Sequence, residues 1–175
     1  VRKALAINSR TNGGNSLPVA LNLNELAVIQ LQLSQFTAAE QSAQSGLNIL
    51  EALHLECTDP NVTRLMDTQA RVQQVRGNYE RATELYLKLL DTDRRQVGEK
   101  HLKYATHLLN YGTVQAAQGK LEEAKQTFKG AIAIMKADPH RPRHPNIIDG
   151  LANLGSVLGA LGGFDAAGTG VQGAL

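Results

Sequence analysis

An all-α array of stacked helix hairpins is the fold this sequence predicts, on three observations. A pattern recurs every 42 or 43 residues along the chain. Within each period, apolar and small residues are spaced by three and four on both sides of a turn, and the turn usually carries glycine. No segment reads as a strand.

The register is explicit. Leu33-Ser34-Gln35-Phe36 aligns with Arg76-Gly77-Asn78-Tyr79, Gln118-Gly119-Lys120-Leu121 and Leu161-Gly162-Gly163-Phe164, at offsets of 43, 42 and 43. An alanine follows three residues later (Ala39, Ala82, Ala124, Ala167), and four residues on stand Ala43, Tyr86, Phe128 and Val171. Upstream, Leu23, Met66, Leu108 and Leu151 align, then Leu26, Gln69, Tyr111 and Leu154, each followed by a small residue: Ala27, Ala70, Gly112 or Gly155. Two amphipathic helices per unit, packed as an antiparallel hairpin, satisfy this spacing, and the small residues let the backbones approach closely.

Taken in order, residues 1–8 are expected to end a preceding second helix, because Ala4-Leu5-Ala6-Ile7 repeats Ala131-Ile132-Ala133-Ile134. The polar, glycine-rich run from Asn8 to Ser16 reads as a junction loop. Helix pairs then fall at 18–33 with 36–56, 60–76 with 79–96, 101–118 with 121–137, and 145–161 with 164–175. Pro60 and Pro145 stand where a first-turn proline costs no helix bond, Gly98 suits a C-cap, and His101 a helix start. The segment from Asp138 to His144, with two prolines, reads as a stiffer junction. Interior Gly168, Gly170 and Gly173 each cost a helix about 1 kcal/mol relative to Ala, so 164–175 is expected to be the weakest helix. The chain is expected to be one solenoid domain, 1–175, within a longer protein, with repeats at 18–56, 60–96, 101–137 and 145–175.

Composition narrows the function. The 175 residues carry a net charge of +2 with 19% charged side chains, so no broad positive field exists for a nucleic acid or an anionic membrane. No apolar run approaches the roughly 18 residues of a membrane span. Cys57 is the sole cysteine, which excludes an internal disulfide framework and points to a reducing, intracellular, cytoplasmic setting. His140 and His144 flank Pro142 and so lack the single helix face that a metal pair needs. His54, Glu56 and Cys57 lie close in sequence without a base-to-thiol arrangement, so the thiol reads as a spectator. The expectation is no enzyme and no catalytic, metal-ligating or cofactor-binding residue.

A period near 42 would also admit HEAT or armadillo units, and the internal pattern decides. Leu108-x2-Tyr111-Gly112, Gly119, Ala124-x3-Phe128 and Ala131 resemble the tetratricopeptide repeat (TPR), here with about eight residues more than its usual 34 or so. The junction Gly98-Glu99-Lys100-His101 resembles the long repeats of the kinesin light chain type, whose junctions read Gly-x-x-His-Pro-Asp-Val; Leu102 replaces the proline. That resemblance implies a right-handed superhelical α-solenoid whose concave wall is lined by the first helix of each unit. The wall would then receive Asn24, Val28, Asp67, Arg71, Leu109, Thr113, Ala152 and Ser156, flanked by Gln32, Arg64, Gln74, Asn110 and Asn153.

The function implied is non-enzymatic binding of a partner protein's peptide segment or helix in the groove. Side-chain amides such as Asn110 and Asn153 can pair with both the C=O and the N–H of an extended chain. Arg64 and Arg71, seven apart and so on one face, could grip a carboxylate or could be satisfied by Asp67 between them. The competing expectation is a structural subunit built into a larger assembly through edges and convex faces. An accessory domain of an enzyme would need a catalytic domain beyond these residues. RNA reading is weaker still, since the strip Arg94-Arg95, Lys100 and Lys103 reads as a solvated edge.

Overall fold

The structure, a computed structural model, describes the backbone of residues 1–138 and 145–172, with side chains except at positions 2, 4, 5, 12 and 163–172. Every regular element among the described residues is helical: α1 (Arg2–Asn12), α2 (Leu17–Gln32), α3 (Phe36–Ala52), α4 (Pro60–Val75), α5 (Tyr79–Gln96), α6 (Leu102–Ala117), α7 (Leu121–Lys136) and α8 (Pro145–Gln172). The chain divides into two compact units, residues 1–92 and 93–175. No helix among the described residues is long and apolar enough to cross a membrane.

Three hairpin turns share one device. The residue at the turn enters the left-handed region, and the next N–H bonds back to the carbonyl five residues earlier. Ser34 (φ 56) is followed by Gln35 N–H to Gln30 at 2.8 Å, Gly77 (φ 80) by Asn78 to Gln73 at 2.9 Å, and Gly119 (φ 77) by Lys120 to Gln115 at 3.0 Å. This closure satisfies carbonyls that a helix end leaves orphaned, and glycine enters the left-handed region without a Cβ clash. Helix starts are equally local. Asp59 accepts from Asn61 N–H at 2.7 Å ahead of Pro60, and His101 Nδ1 accepts from Lys103 N–H at 3.0 Å.

In the first unit the core holds Ala20, Ala27, Ala39, Ala43, Leu50, Leu65, Ala70, Val72, Ala82, Tyr86 and Leu89, all essentially without exposure. The small residues stand at the positions the repeat assigns to close helix approach. A polar clamp fastens the α4–α5 turn to α3: Gln73 Nε2 donates to Glu40 at 2.9 Å, Asn78 donates to Gln73 at 2.8 Å, and Arg76 pairs with Glu40. In the second unit Ala105, Leu109, Ala124, Phe128, Ala131, Met135, Ile147 and Val157 form one cluster from α6, α7 and α8. Gly112 lets the Phe128 ring of α7 pack directly against α6, because a Cβ there would lie 2.6 Å from Phe128 Cε1.

Two expectations fail. The junction loop expected from Asn8 is helical to Asn12: Thr11 Oγ1 donates to the Ile7 carbonyl at 3.0 Å, Arg10 suits the negative end of the dipole, and Gly13 (φ 80) ends the helix. The turn expected at Leu161–Phe164 is absent, since α8 runs unbroken through Gly162 and Gly163. A glycine pair permits a left-handed turn without imposing one; at the other three turns the capping bond locks it. The proline junction at 139–144 with His140 and His144, residues 173–175, and the apolar face expected of Phe164, Ala167, Val171 and Leu175 lie outside the described residues.

Candidate functional site

The residues expected to line the groove fall on α2 and α4 in the first unit and on α6 and α8 in the second. In the first unit, Arg64, Asp67, Arg71 and Gln74 step along α4 by three, four and three residues, so they share one face. Arg64 and Arg71 are exposed, while Asp67 and Gln74 are half-buried. Beneath this face lies Tyr86 of α5, fully buried. Burial pushes its hydroxyl far above the usual tyrosine range; the Asp67 carboxylate pushes the same way, and the Arg71 guanidinium opposes it. The phenol is therefore a neutral group under a charged face.

Asn24 is the exception in this set. It is only 3% exposed, and its Oδ1 accepts a hydrogen bond from Thr68 Oγ1 at 2.8 Å. It presents no amide to a ligand. Instead it ties α2 to α4 and so sets the spacing between Val28, which is half-buried, and the α4 row. Gln32 is exposed.

In the second unit, Asn110, Thr113 and Asn153 are half-buried and Ser156 is exposed, while Leu109 belongs to the core. Thr113 Oγ1 donates to the Asn110 carbonyl at 2.6 Å, which holds the hydroxyl close to α6. Thr113, Asn153 and Ser156 come together around a cleft of about 160 Å³, completed by Ala116, Val157 and the Phe128 ring. That volume suits one side chain of a partner and falls short of a drug-sized ligand pocket. Asn146 Nδ2 donates to Thr106 Oγ1 at 3.4 Å, a weak tie between α8 and α6.

The second unit also contains a buried acid. Asp93 has no exposure; its Oδ2 lies 2.6 Å from His107 Nδ1 and its Oδ1 lies 3.0 Å from Lys103 Nζ. Burial alone would raise this carboxyl, but hydrogen bonds from His107 and Lys103, together with their charge, hold it below its usual range. Among the described residues, no group of three or more His, Cys, Asp or Glu side chains is placed to hold a metal ion.

Sequence reasoning missed Thr68, Tyr86, Phe128 as a cleft floor, and the Asp93–His107 pair. Tyr86 and Phe128 were read only as aligned positions of the repeat; the structure buries both rings. Thr68 carries no periodic mark, because Asn110 and Asn153 occupy its place in later repeats.

Comparison with known proteins agrees with this architecture. Residues 62–137 match the tetratricopeptide repeat family model. No curated protein matches by sequence. Among solved structures, BtubC (BKLC) from P. vanneervenii is similar at a TM-score of 0.74 and 22% identity, over 87% of this chain and 60% of that one. The chain thus spans three fifths of that relative's length. Two structures of the nearly identical TPR-like repeats of a Podospora anserina chain designated a kinesin light chain align at TM-scores of 0.74 and 0.73. Their identities are 19% and 20%, and each alignment covers 98% of this chain and 80% of the other. At these identities the likeness carries the fold alone: the chain has the helix-hairpin fold of these repeat structures, and its residues 62–137 match the tetratricopeptide repeat model.

Proposed function

We propose that this chain is a non-enzymatic interaction module that binds a peptide segment or helix of a partner protein along the inner faces of its first helices. Tetratricopeptide arrays are in general protein-interaction modules, and repeat stacks bind through extended surfaces rather than closed pockets. The observation that carries the reading is the α4 row of Arg64, Asp67, Arg71 and Gln74: two exposed guanidinium groups on one face, backed by neutral, buried Tyr86. Such a face offers bidentate donors to a carboxylate or a chain of backbone carbonyls. In the second unit Asn110, Thr113, Asn153 and Ser156 supply amides and hydroxyls beside a cleft for one side chain. Asn24 contributes by spacing the helices and Val28 by apolar contact. With Cys57 free and no other cysteine in the chain, a reducing, cytoplasmic setting fits.

The test is capture of partners on the immobilised chain, mapping of the shortest bound segment, and titration of that segment against variants. Arg71→Glu and Asn153→Ala should each weaken binding by about 1–3 kcal/mol with unchanged helicity. A segment that binds both variants as tightly as the parent would move the site off these faces. The alternative, a subunit built permanently into an assembly, draws support from one observation, the uncharged exposed face of α8.

A further inference from the structure

We propose that a cleft between α3 and α5 is a second binding site, one that takes an arginine side chain of a partner peptide. This inference is independent of the inner faces and goes beyond the peptide-binding reading.

The cleft has a volume of about 510 Å³, within the range of pockets that hold small organic groups. Its lining lies wholly within the first unit. Leu50, Val62, Met66 and Leu85 form an apolar floor, each at most 8% exposed. Charged and polar groups enter from three places: Glu51 on α3, Arg81 and Lys88 on α5, and His54 and Glu56 on the connection from α3 to α4. His54 bends that connection with a left-handed φ of 56, where the next junction uses Gly98 (φ 83). Leu55 N–H then bonds to the Leu50 carbonyl at 3.1 Å and closes the end of α3. A residue other than glycine kept in that region is strained, and such outliers gather at ligand clamps.

Two carboxylates at this cleft lack the partner that the next junction supplies. At an offset of 43, Glu51 and Glu56 align with Arg94 and Glu99. There Arg94 Nε donates to Glu99 Oε1 at 2.6 Å, so a guanidinium at one position neutralises the carboxylate at the other. At the first junction glutamate occupies both positions, and neither Glu51 nor Glu56 has a side-chain hydrogen bond or ion pair among the described residues. Arg81 is engaged by Glu84 at 2.6 Å, which leaves Lys88 against the two acids. The side chains are not placed as metal ligands, so the cation that fits is organic. Arginine supplies what is missing: a planar fork for the carboxylates, a face that stacks on the His54 ring, and a methylene stem that lies on the apolar floor. Lys88 is left to meet a carbonyl or carboxylate of the same peptide.

The probe is a fluorescein-labelled peptide, Ala-Leu-Arg-Leu-Ala, titrated into the full chain and followed by anisotropy. Cys57, the only cysteine in the chain, lines the cleft and is half-buried, so its rate of reaction with an aromatic disulfide reports occupancy. Saturable binding that slows this reaction is expected. Glu51→Arg rebuilds with Glu56 the pairing of Arg94 and Glu99, and it should weaken binding at least tenfold while the circular dichroism of the chain stays parental. Replacing arginine by alanine in the peptide should do the same, as should Glu51→Gln and Glu56→Gln together. Absence of saturable binding overturns the proposal, and so does binding that leaves the Cys57 rate unchanged or ignores Glu51→Arg. Equal binding of the peptide with lysine in place of arginine also overturns it, because the cleft would then read charge alone.

Discussion

Gly112 and Gly155 occupy the same place in successive repeats, yet adding a methyl group should destabilise the chain at the first and stabilise it at the second. Alanine in a helix interior is worth about 1 kcal/mol over glycine at either site. At Gly155 nothing opposes that gain, because the Cβ position is open, so Gly155→Ala should stabilise by up to about 1 kcal/mol. At Gly112 the new carbon would lie 2.6 Å from Phe128 Cε1 and 2.8 Å from Cδ1. Those separations are about 1 Å inside ordinary carbon contact. Phe128 is 1% exposed and packed among Ala124, Ala131 and Met135, so the ring cannot swing away without moving α7. Overpacking of this kind costs about 1–3 kcal/mol. Set against the propensity gain, Gly112→Ala should be destabilising by about 1 kcal/mol, leaving the two variants about 2 kcal/mol apart. Urea denaturation followed at 222 nm reads the difference, and an unchanged m-value shows that the midpoint shift is a change in stability at constant surface exposed on unfolding. If Gly112→Ala matches or exceeds the parent, α6 and α7 are less closely packed than described and the shared register loses its physical basis.

Further predictions rest on the same packing and capping. Ala82→Leu and Ala124→Leu, at sites with no exposure, should each cost about 1–3 kcal/mol, and a parental urea midpoint for both would refute the repeat register. Ser34 holds a left-handed φ of 56 where two other turns place glycine, so Ser34→Gly should stabilise by about 1 kcal/mol in the same assay. Because the folded Asp93 carboxyl titrates below its unfolded value, its contribution is intact above about pH 4 and is lost as pH falls through the folded value. Urea midpoints between pH 5 and pH 3 should therefore fall less steeply in Asp93→Asn than in the parent; parallel slopes would show that the Asp93 cluster does not carry the acid sensitivity.

Seven of the eight helices among the described residues were legible, most to within a few residues, because their determinants are local. Three- and four-residue spacing marks the buried faces, and Pro60, His101 and Pro145 mark the starts. Turns at Gly77 and Gly119 are closed by a bond that needs only the residues around them. The failures are also local. From Asn8 to Asn12 the composition is polar without being helix-breaking, and a chain already helical continues until Gly13 gives it a reason to stop. At Gly162-Gly163 the turn signal is stronger than at Ser34-Gln35, yet Ser34 turns and the glycine pair does not. Repeat register located the position, but what closes a turn is the capping bond and the packing of the two helices it joins.

One face of α4 was legible for the same reason, since helical period alone places Arg64, Asp67, Arg71 and Gln74 on one side of that helix. Period cannot say how far a residue on that side projects. Asn24 and Arg71 were both assigned to the wall, and Asn24 ends 3% exposed while Arg71 is exposed. The difference lies in a second helix: Thr68 reaches Asn24 across the α2–α4 contact and draws its short amide inward, whereas the longer arginine side chain clears the contact and reaches solvent. The α2–α4 contact therefore sorts its residues by length and by partner, with the short amide tying the two helices and the long cations facing outward. By that sorting, Arg64 and Arg71 are the side chains of the α4 row that reach solvent, and Asn24 is one whose loss would be felt as a change in helix spacing.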